Sequence, residues 1–263
     1  MFDMKRLLLM YSWFLVCGIK NLLVLQSIHT QKHVQIDRSI YDAIRLPEKY
    51  GDNINASHLK VYVISLQGVS GSHVSNNHRF DNFSLDLQRK CGHGVDIEFC
   101  PGIISTRRGY GTQKAFLNCF TKALSDQQNY SVFMEDDARL KTVDFCNDSY
   151  RDSIWAAAKR DVFIILLGGH HIQTIPSQKK NKLSRAVYSH GSYGFMVRRE
   201  NLKLLFEYYT WELSLNKPSF SPDTAFFKVA FSLRKSVQIT TPSVVEHIAG
   251  FSNTWNRSRT HIN

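Results

Sequence analysis

The 263-residue sequence predicts an α/β fold in which a doubly wound, mostly parallel sheet is flanked by helices. Short apolar runs rich in β-branched residues alternate with segments whose apolar residues recur at helical spacing. In addition, 43% of the residues are hydrophobic and 12% are aromatic, which is typical of a folded protein rather than of a disordered chain. The length allows one such domain with a sizeable core.

The first half of the chain begins this alternation. A run at residues 61–66 predicts a buried strand, and apolar residues spaced through 80–87 predict a helix after a Gly/Ser/Asn loop. A short strand is predicted near residues 95–99. The next helix takes Thr112 as its N-cap, and a further buried strand follows at residues 131–134.

The second half continues in the same way. The remaining predicted strands lie at residues 162–167, 186–189, 193–197 and 237–240. The remaining predicted helices lie at residues 151–159, at 199–209 and from Ser221-Pro222 onward. In the last of these, serine is the N-cap and proline takes the first helical position. Strands that alternate with helices at this spacing favour parallel pairing.

The N-terminus predicts a membrane anchor helix or a signal peptide. Lys5-Arg6 precede an uncharged apolar run at residues 7–19, and Lys20 interrupts its continuation to a spanning length. The segment is therefore a signal-anchor, a cleaved signal peptide or an ordinary buried helix. Basic residues before the run favour a cytoplasmic N-terminus, which places the remainder in the lumen. We divide the chain into this leader, a polar stem and a main domain, at residues 1–29, 30–58 and 59–263.

Two further patterns agree with a lumenal destination. Asn-X-Ser sequons with a non-proline middle residue occur at Asn55, Asn82, Asn129, Asn147 and Asn256. Four cysteines follow the one in the leader, and they lie at Cys91, Cys100, Cys119 and Cys146. An even number in an oxidising compartment permits two disulfides with three possible connectivities, and four buried thiols are the alternative.

An acidic triplet carries the main chemical signal. Glu135-Asp136-Asp137 follows a predicted buried strand directly, and ligands of doubly wound sheets bind outside the carboxyl ends of the strands. Adjacent carboxylates repel one another unless a cation compensates them. On an extended segment Glu135 and Asp137 point to the same side, so we predict that they bind Mn²⁺ or Mg²⁺ through oxygen ligands. A solvated acidic turn or a helix cap is the alternative.

Several segments together resemble glycosyltransferase family 25, which includes lipooligosaccharide and procollagen galactosyltransferases. The similarity covers roughly residues 60–255. It rests on Val61-Tyr62-Val63-Ile64-Ser65-Leu66, Arg79-Phe80, Gly109-Tyr110-Gly111, Phe133-Met134-Glu135-Asp136-Asp137, Gly191-Ser192-Tyr193-Gly194-Phe195-Met196-Val197 and Pro222-Asp223. The resemblance implies a GT-A fold, a nucleotide-diphosphate sugar donor and a divalent metal that bridges the donor phosphates.

The resemblance also implies roles for individual residues. Asp223 would be the general base that takes the proton of the acceptor hydroxyl if the reaction inverts the anomeric centre. The alternative is that Asp223 only complements the dipole of its helix. His247 would complete the metal shell, or else be a structural histidine. Asp136 would face the ribose or the sugar.

Three further sites are predicted at the periphery of this centre. Arg79 and Arg257 are predicted to bind the donor. Arg257 and Arg259 belong to a C-terminal tail that closes over the diphosphate, and the alternative is that this tail is simply solvated. His170-His171, after two glycines at a strand end, are candidates for sugar or acceptor contact, and a flexible turn is the alternative.

The sequence thus predicts that residues 59–263 are the catalytic domain of a metal-dependent hexosyltransferase, with galactose as a candidate sugar. A glycan or glycoprotein is the expected acceptor. We expect the protein itself to act in the Golgi or endoplasmic reticulum lumen, as a single-pass type II membrane protein or as a secreted one. The net charge of +11 attracts any polyanion, but the leader and the sequons argue against nucleic acid. The alternatives are a non-catalytic lumenal protein that binds nucleotide sugars or glycans and, with less support, a metal-dependent phosphodiesterase.

Overall fold

The computed structural model describes residues 59–69, 78–106, 109–126, 128–158, 161–175, 183–215, 222–248, 250–252 and 257–259. The predicted leader and stem, at residues 1–29 and 30–58, lie outside the described residues, and their boundaries stay predictions. In the part of the chain that is described, no helix is both long enough and apolar enough to cross a membrane.

The described chain contains five helices and ten strands. The helices are α1 (Arg79–Cys91), α2 (Tyr110–Ser125), α3 (Asp148–Ala157), α4 (Arg199–Ser214) and α5 (Pro222–Ser232). The longer strands are β1 (Leu59–Ser65), β2 (Val95–Pro101), β3 (Tyr130–Glu135), β5 (Val162–Ile175), β6 (Leu183–Arg198) and β7 (Ser236–Thr240). The short strands are β4 (Ala138–Leu140), β8 (Val245–His247), β9 (Gly250–Ser252) and β10 (Arg257–Arg259).

The six longer strands form one sheet in the order β2-β1-β3-β6-β5-β7. Neighbouring strands pair in parallel except around β6, which is antiparallel to β3, β5 and β7. Five of the six strands therefore run in one direction, and the predicted mostly parallel sheet is confirmed. The short strands pair separately, β4 with β8 and β9 with β10.

The two faces of the sheet bury different kinds of side chain. On one face, Val61 and Val132 pack in a mostly aliphatic cluster that also contains Phe83 of α1 and Ile154 of α3. The opposite face is aromatic, and its rings stack or meet edge to face among Tyr62, Phe116, Phe120, Phe133, Phe195, Tyr209 and Phe226. Successive strand residues point to opposite faces, so helices must cover both. The prediction of a sheet flanked by helices is confirmed.

The four cysteines form the two disulfides that their even number permits, in one of the three possible connectivities. Cys91, at the end of α1, is bonded to Cys146, and Cys100 of β2 is bonded to Cys119 of α2. The first bond ties the end of α1 to the segment before α3. The second ties an edge strand to the helix that covers it. The bonded cysteines are 55 and 19 residues apart in the sequence.

Two element predictions need correction. The second helix begins at Tyr110 after Gly109, which has a φ of 77°, so Thr112 lies inside the first turn and is not the N-cap. A Cβ on Gly111 would lie 2.1 Å from the carbonyl oxygen of Ile103, so this helix start requires glycine for close packing. The predicted strands at residues 186–189 and 193–197 are one strand, β6. Residues between them also pair with β5, but they are polar, so the apolar pattern in the sequence is interrupted there.

Candidate active site

The site is built on the turn that follows β3. Asp136 and Asp137 form this turn, between the end of β3 and the start of β4. The backbone N–H of Asp136 donates to the carbonyl of Ile64 in β1, at 3.2 Å. The carbonyl of Asp137 accepts from the N–H of Ile248, just after β8, at 2.7 Å. The two carboxylates are therefore held at the carboxyl end of the sheet, where doubly wound folds bind ligands.

Arg79 brings positive charge to both carboxylates. It is the first residue of α1, and its Nη2 lies 3.2 Å from Oδ1 of Asp136 and 2.8 Å from Oδ2 of Asp137. The exposed fractions of the Arg79, Asp136 and Asp137 side chains are only 17%, 9% and 17%. An ion cluster this well shielded from water is weakly screened, and losing one partner would leave a buried charge uncompensated.

His247 completes the cluster from the opposite side of the turn. Its Nε2 lies 3.1 Å from Oδ2 of Asp137, and the residue is 6% exposed. In the β4–β8 pair His247 stands opposite Ala138, the residue after Asp137, and its ring centroid lies 4.7 Å from that of Tyr193. A Cβ on Gly168 would lie 2.2 Å from the carbonyl oxygen of Val245, so β8 reaches the site only because β5 carries glycine there.

The two carboxylates titrate differently although they are adjacent. Burial raises the pKa of Asp136 to about 6, against the opposing effects of the Arg79 charge and of a 2.5 Å hydrogen bond from the Ser65 hydroxyl. Burial also acts on Asp137, but the hydrogen bond from His247 and the charge of Arg79 outweigh it, and the pKa of Asp137 is lowered. Asp137 is therefore the carboxylate that this site holds ionised.

The chemistry of the Asp137 carboxylate fits a divalent cation. Its Oδ1 is buried and has no hydrogen-bond partner among the described residues, while Oδ2 faces His247 and Arg79. Carboxylate oxygen and imidazole nitrogen are both ligands of Mn²⁺. No group of three or more His, Cys, Asp or Glu side chains is placed to hold an ion within the described residues. A divalent ion here would therefore take its other ligands from phosphate oxygens and water, as Mg²⁺ usually does.

Glu135 does not share the geometry from which its metal role was predicted. The prediction assumed that residues 135–137 are extended, but the strand ends at Glu135 and the next two residues turn. Glu135 is partly exposed and stands opposite Ile64 in the pairing of β3 with β1. Side-chain alternation consequently does not relate Glu135 to Asp137, and metal binding by Glu135 stays a prediction.

Asp223 lies in the first turn of α5 and is 9% exposed. Its Oδ2 accepts a 2.9 Å hydrogen bond from the backbone N–H of Gly191 in β6, where φ is 75°. Gly191 lies two residues before Tyr193, whose ring contacts His247. One stretch of β6 thus connects Asp223 with the His247 side of the site, and the catalytic role of Asp223 stays a prediction.

Sequence reasoning missed Ser65 and Tyr193 as parts of the site. Ser65 ends β1 and donates to Asp136, and Tyr193 packs on His247. The sequence places both residues in buried strands and in segments of the family 25 resemblance, without a role of their own, although a hydroxyl at a strand end beside an acidic turn indicates a contact with that turn. His170, His171 and Arg257 lie in β5 and β10, but their side chains are outside the described residues.

Comparisons with known proteins give a fold likeness only. Neither a protein-family model nor a curated relative matches the sequence. A glycosyltransferase involved in glycosylation of the major capsid of PBCV-1 is 7% identical at a TM-score of 0.46, covering 76% of this chain and 96% of its own. A mutant of Drosophila beta-1,4-galactosyltransferase 7, in complex with manganese, UDP-Gal and xylobiose, is 13% identical at a TM-score of 0.41, covering 78% and 77%.

An inositol-1-phosphate CTP transferase from T. maritima is also similar, at 10% identity and a TM-score of 0.34, covering 70% of this chain and 85% of its own. At these TM-scores the backbones overlap only in part. The likeness therefore decides neither the family nor the reaction, and function must be inferred from the residues of the site.

Proposed function

We propose that this protein is a metal-dependent glycosyltransferase that moves a hexose from a nucleotide-diphosphate sugar to a hydroxyl of a glycan or glycoprotein. The observation that carries the proposal is the meeting of Asp136, Asp137, Arg79 and His247 at the carboxyl end of β3. The segments that resemble glycosyltransferase family 25 and imply a GT-A fold include the strand and the acidic turn of this same site, and galactose is the sugar that this resemblance favours.

Each residue of the cluster has a task that its position supports. Asp137 and His247 would hold the divalent ion, with Glu135 as a further predicted ligand. The ion, when bound, neutralises the negative charge that develops on the departing nucleoside diphosphate. Arg79 already faces two carboxylates, and its planar guanidinium suits a bidentate contact with the donor diphosphate. Asp136 would then accept from a hydroxyl of the ribose or sugar.

Asp223 is the proposed general base. One oxygen of its carboxylate, Oδ2, accepts from the N–H of Gly191, which fixes the side chain at the start of α5. A base in this position takes the proton as the hydroxyl attacks the anomeric carbon. Arg257 is proposed to contact the donor diphosphate from the C-terminal segment.

The proposed location is the lumen of the Golgi or endoplasmic reticulum, with the leader as a type II anchor or a cleaved signal. Asn82, Asn129 and Asn147, the three sequon asparagines in the described residues, are all exposed, and two disulfides fit an oxidising compartment. Expression in a eukaryotic cell followed by glycosidase treatment tests this. Faster gel migration after treatment is expected, and unchanged migration of membrane-associated protein would contradict a lumenal location.

A screen of nucleotide sugars tests the reaction itself. Purified protein is incubated with each donor and with Mn²⁺, Mg²⁺ or a chelator, and release of the nucleoside diphosphate is measured. We expect slow hydrolysis of one donor class that requires the metal. Metal-dependent binding of a donor without any hydrolysis or transfer would instead favour a non-catalytic nucleotide-sugar-binding protein.

A further inference from the structure

A second concave site lies away from the acidic turn. A groove of about 380 Å³ opens between α5 and the place where β6 pairs with β7. One wall consists of α5 residues at helical spacing, namely Thr224, Phe227, Lys228 and Phe231. The volume falls within the range of about 300–1,000 Å³ that is usual for ligand sites. None of its lining residues belongs to the Asp137 cluster.

The groove is basic and aromatic. Its lining contains Arg185, Lys228 and Lys235 and includes no acidic side chain among the described residues. Nζ of Lys235 donates to Oδ1 of Asn201 at 2.6 Å, so this cation is held in place. Burial lowers the pKa of Lys228, against the opposing charge of Glu212, whereas Arg185 is exposed. Fixed cations around a concave surface attract carboxylate or sulfate groups and bind them by charge-assisted hydrogen bonds.

An aromatic ring at the rim adds a feature that a ligand would use. Phe231 is 77% exposed, an unusual position for a large apolar ring at the rim of a groove. An aromatic face can pack against the apolar C–H face of a sugar ring.

The groove also leads toward the proposed base. Thr224, at one end of the α5 wall, follows Asp223 in the chain. On the β6 wall, Val187 lies four residues before Gly191, whose N–H donates to Asp223. Each wall thus continues along the chain to one partner of the Asp223–Gly191 contact, where the acceptor hydroxyl is proposed to react.

We propose that this groove binds an acidic oligosaccharide, with carboxylated or sulfated sugar units, and that this oligosaccharide is the acceptor. The part that concerns the acceptor rests on the proposed function, whereas the binding site itself does not. The occupant is an oligosaccharide rather than a bilayer because the site is concave and of the size of a few sugar rings. The excess of basic residues, with a net charge of +11, complements an anionic chain.

The test compares groove variants with matched controls in the full-length protein. Calorimetry measures the affinity for a heparin hexasaccharide and for a neutral maltohexaose, without nucleotide. Arg185→Glu should weaken heparin binding by about tenfold or more, the equivalent of one charge-assisted contact. Phe231→Ala should weaken it by up to about tenfold, because the ring that packs against a sugar face is lost. Two controls lie at exposed positions of α1: Arg89→Glu makes the same charge change elsewhere, and Leu85→Ala removes an exposed apolar side chain. Both should leave the affinity within about twofold.

The stabilisation of each variant by UDP with Mn²⁺ is measured in parallel. Equal losses in Arg185→Glu and Arg89→Glu would mean that total charge and not the groove binds the anion, which overturns the proposal. Equal affinity for the neutral hexasaccharide overturns it too, as does groove-dependent binding to phosphatidylserine vesicles with heparin binding unaffected. UDP with Mn²⁺ could fail to stabilise any form of the protein while the groove variants still show reduced affinity for heparin. That outcome would support the groove site and contradict the proposed transferase function.

Discussion

Two buried acidic groups of this molecule meet opposite electrostatic surroundings. Asp137 faces the Arg79 guanidinium and His247, and its pKa is lowered despite its burial. Glu212, in the helix layer, is 2% exposed and accepts a 2.9 Å hydrogen bond from Nε2 of Gln113. Its burial raises its pKa, against the opposing charge of Lys228.

The difference shows which buried acid is arranged to stay charged. Glu212 has mostly neutral partners and is shifted toward the protonated form, as a structural polar group in a core usually is. Asp137 is kept ionised at the carboxyl end of the sheet, with one buried oxygen unpartnered within the described residues. An ionised carboxylate held in this way is what a cation site requires, and groups with perturbed pKa values cluster at functional sites.

The largest effect is expected for Asp137→Asn. The amide removes the charge that holds the divalent ion, so metal-dependent turnover should be abolished while the fold persists. Steady-state kinetics with added Mn²⁺, together with circular dichroism, measures both. Glu212→Gln is the matched control and should keep its turnover. A variant that unfolds but retains its specific activity per folded molecule would show that the acidic turn is structural.

Asp223→Asn should lower turnover by about 10²–10⁴-fold, the usual contribution of a positioned base, with donor affinity nearly intact. A helix-dipole role predicts instead a loss of about 0.3–1 kcal/mol of stability and near-normal turnover. Single-turnover kinetics beside calorimetry of donor binding separates the two. Lost donor affinity with unchanged chemistry would move Asp223 to the donor site and direct the search for a base to His170 and His171.

The disulfides extend the comparison to stability, because each one anchors a helix that carries a partner of Asp137 or of Glu212. Cys91–Cys146 anchors α1, which begins with Arg79, and Cys100–Cys119 anchors α2, which carries Gln113. From their sequence separations of 55 and 19 residues, chain entropy predicts losses of about 4 and about 3 kcal/mol when the pairs are replaced by serine. Chemical denaturation measures both. A larger loss for the shorter loop would contradict this order.

The smallest effect concerns pH. Because the pKa of Glu212 is raised on folding, the protonated side chain favours the folded state below its unfolded pKa, and this benefit is lost as pH rises through the folded pKa. Glu212→Gln should therefore raise Tm by a few degrees or less near neutral pH and leave it unchanged in acid. Thermal unfolding across pH measures the difference. A Tm that falls at neutral pH would mean that the charged form of Glu212 stabilises the fold.

Much of the fold was predictable because buried strands show as short apolar runs and helices show as apolar residues at helical spacing. The strands around Val61 and Val132 and the helices around Phe83 and Phe116 were predicted to within a few residues. The β4–β8 pair was missed because three-residue strands show no period, although this pair is what brings His247 to the acidic turn. Local sequence holds no information on such long-range pairing.

The site was predictable in its members but not in its geometry. Asp136, Asp137, Arg79 and His247 were each predicted, and the structure brings them together. Residues 136 and 137 form a turn, which separates Glu135 from this arrangement. The turn depends on backbone contacts to Ile64 and Ile248, which lie far away in sequence.

Thermal unfolding with UDP and Mn²⁺ tests the central claim most directly, since a ligand that binds only the folded state must stabilise it. UDP and Mn²⁺ together should raise Tm more than either alone, and at about 100 times the dissociation constant they should add about 2.7 kcal/mol. Asp137→Asn should abolish the increment and Glu212→Gln should retain it. An unchanged Tm with every nucleoside diphosphate and metal would contradict a nucleotide-sugar site at Asp137.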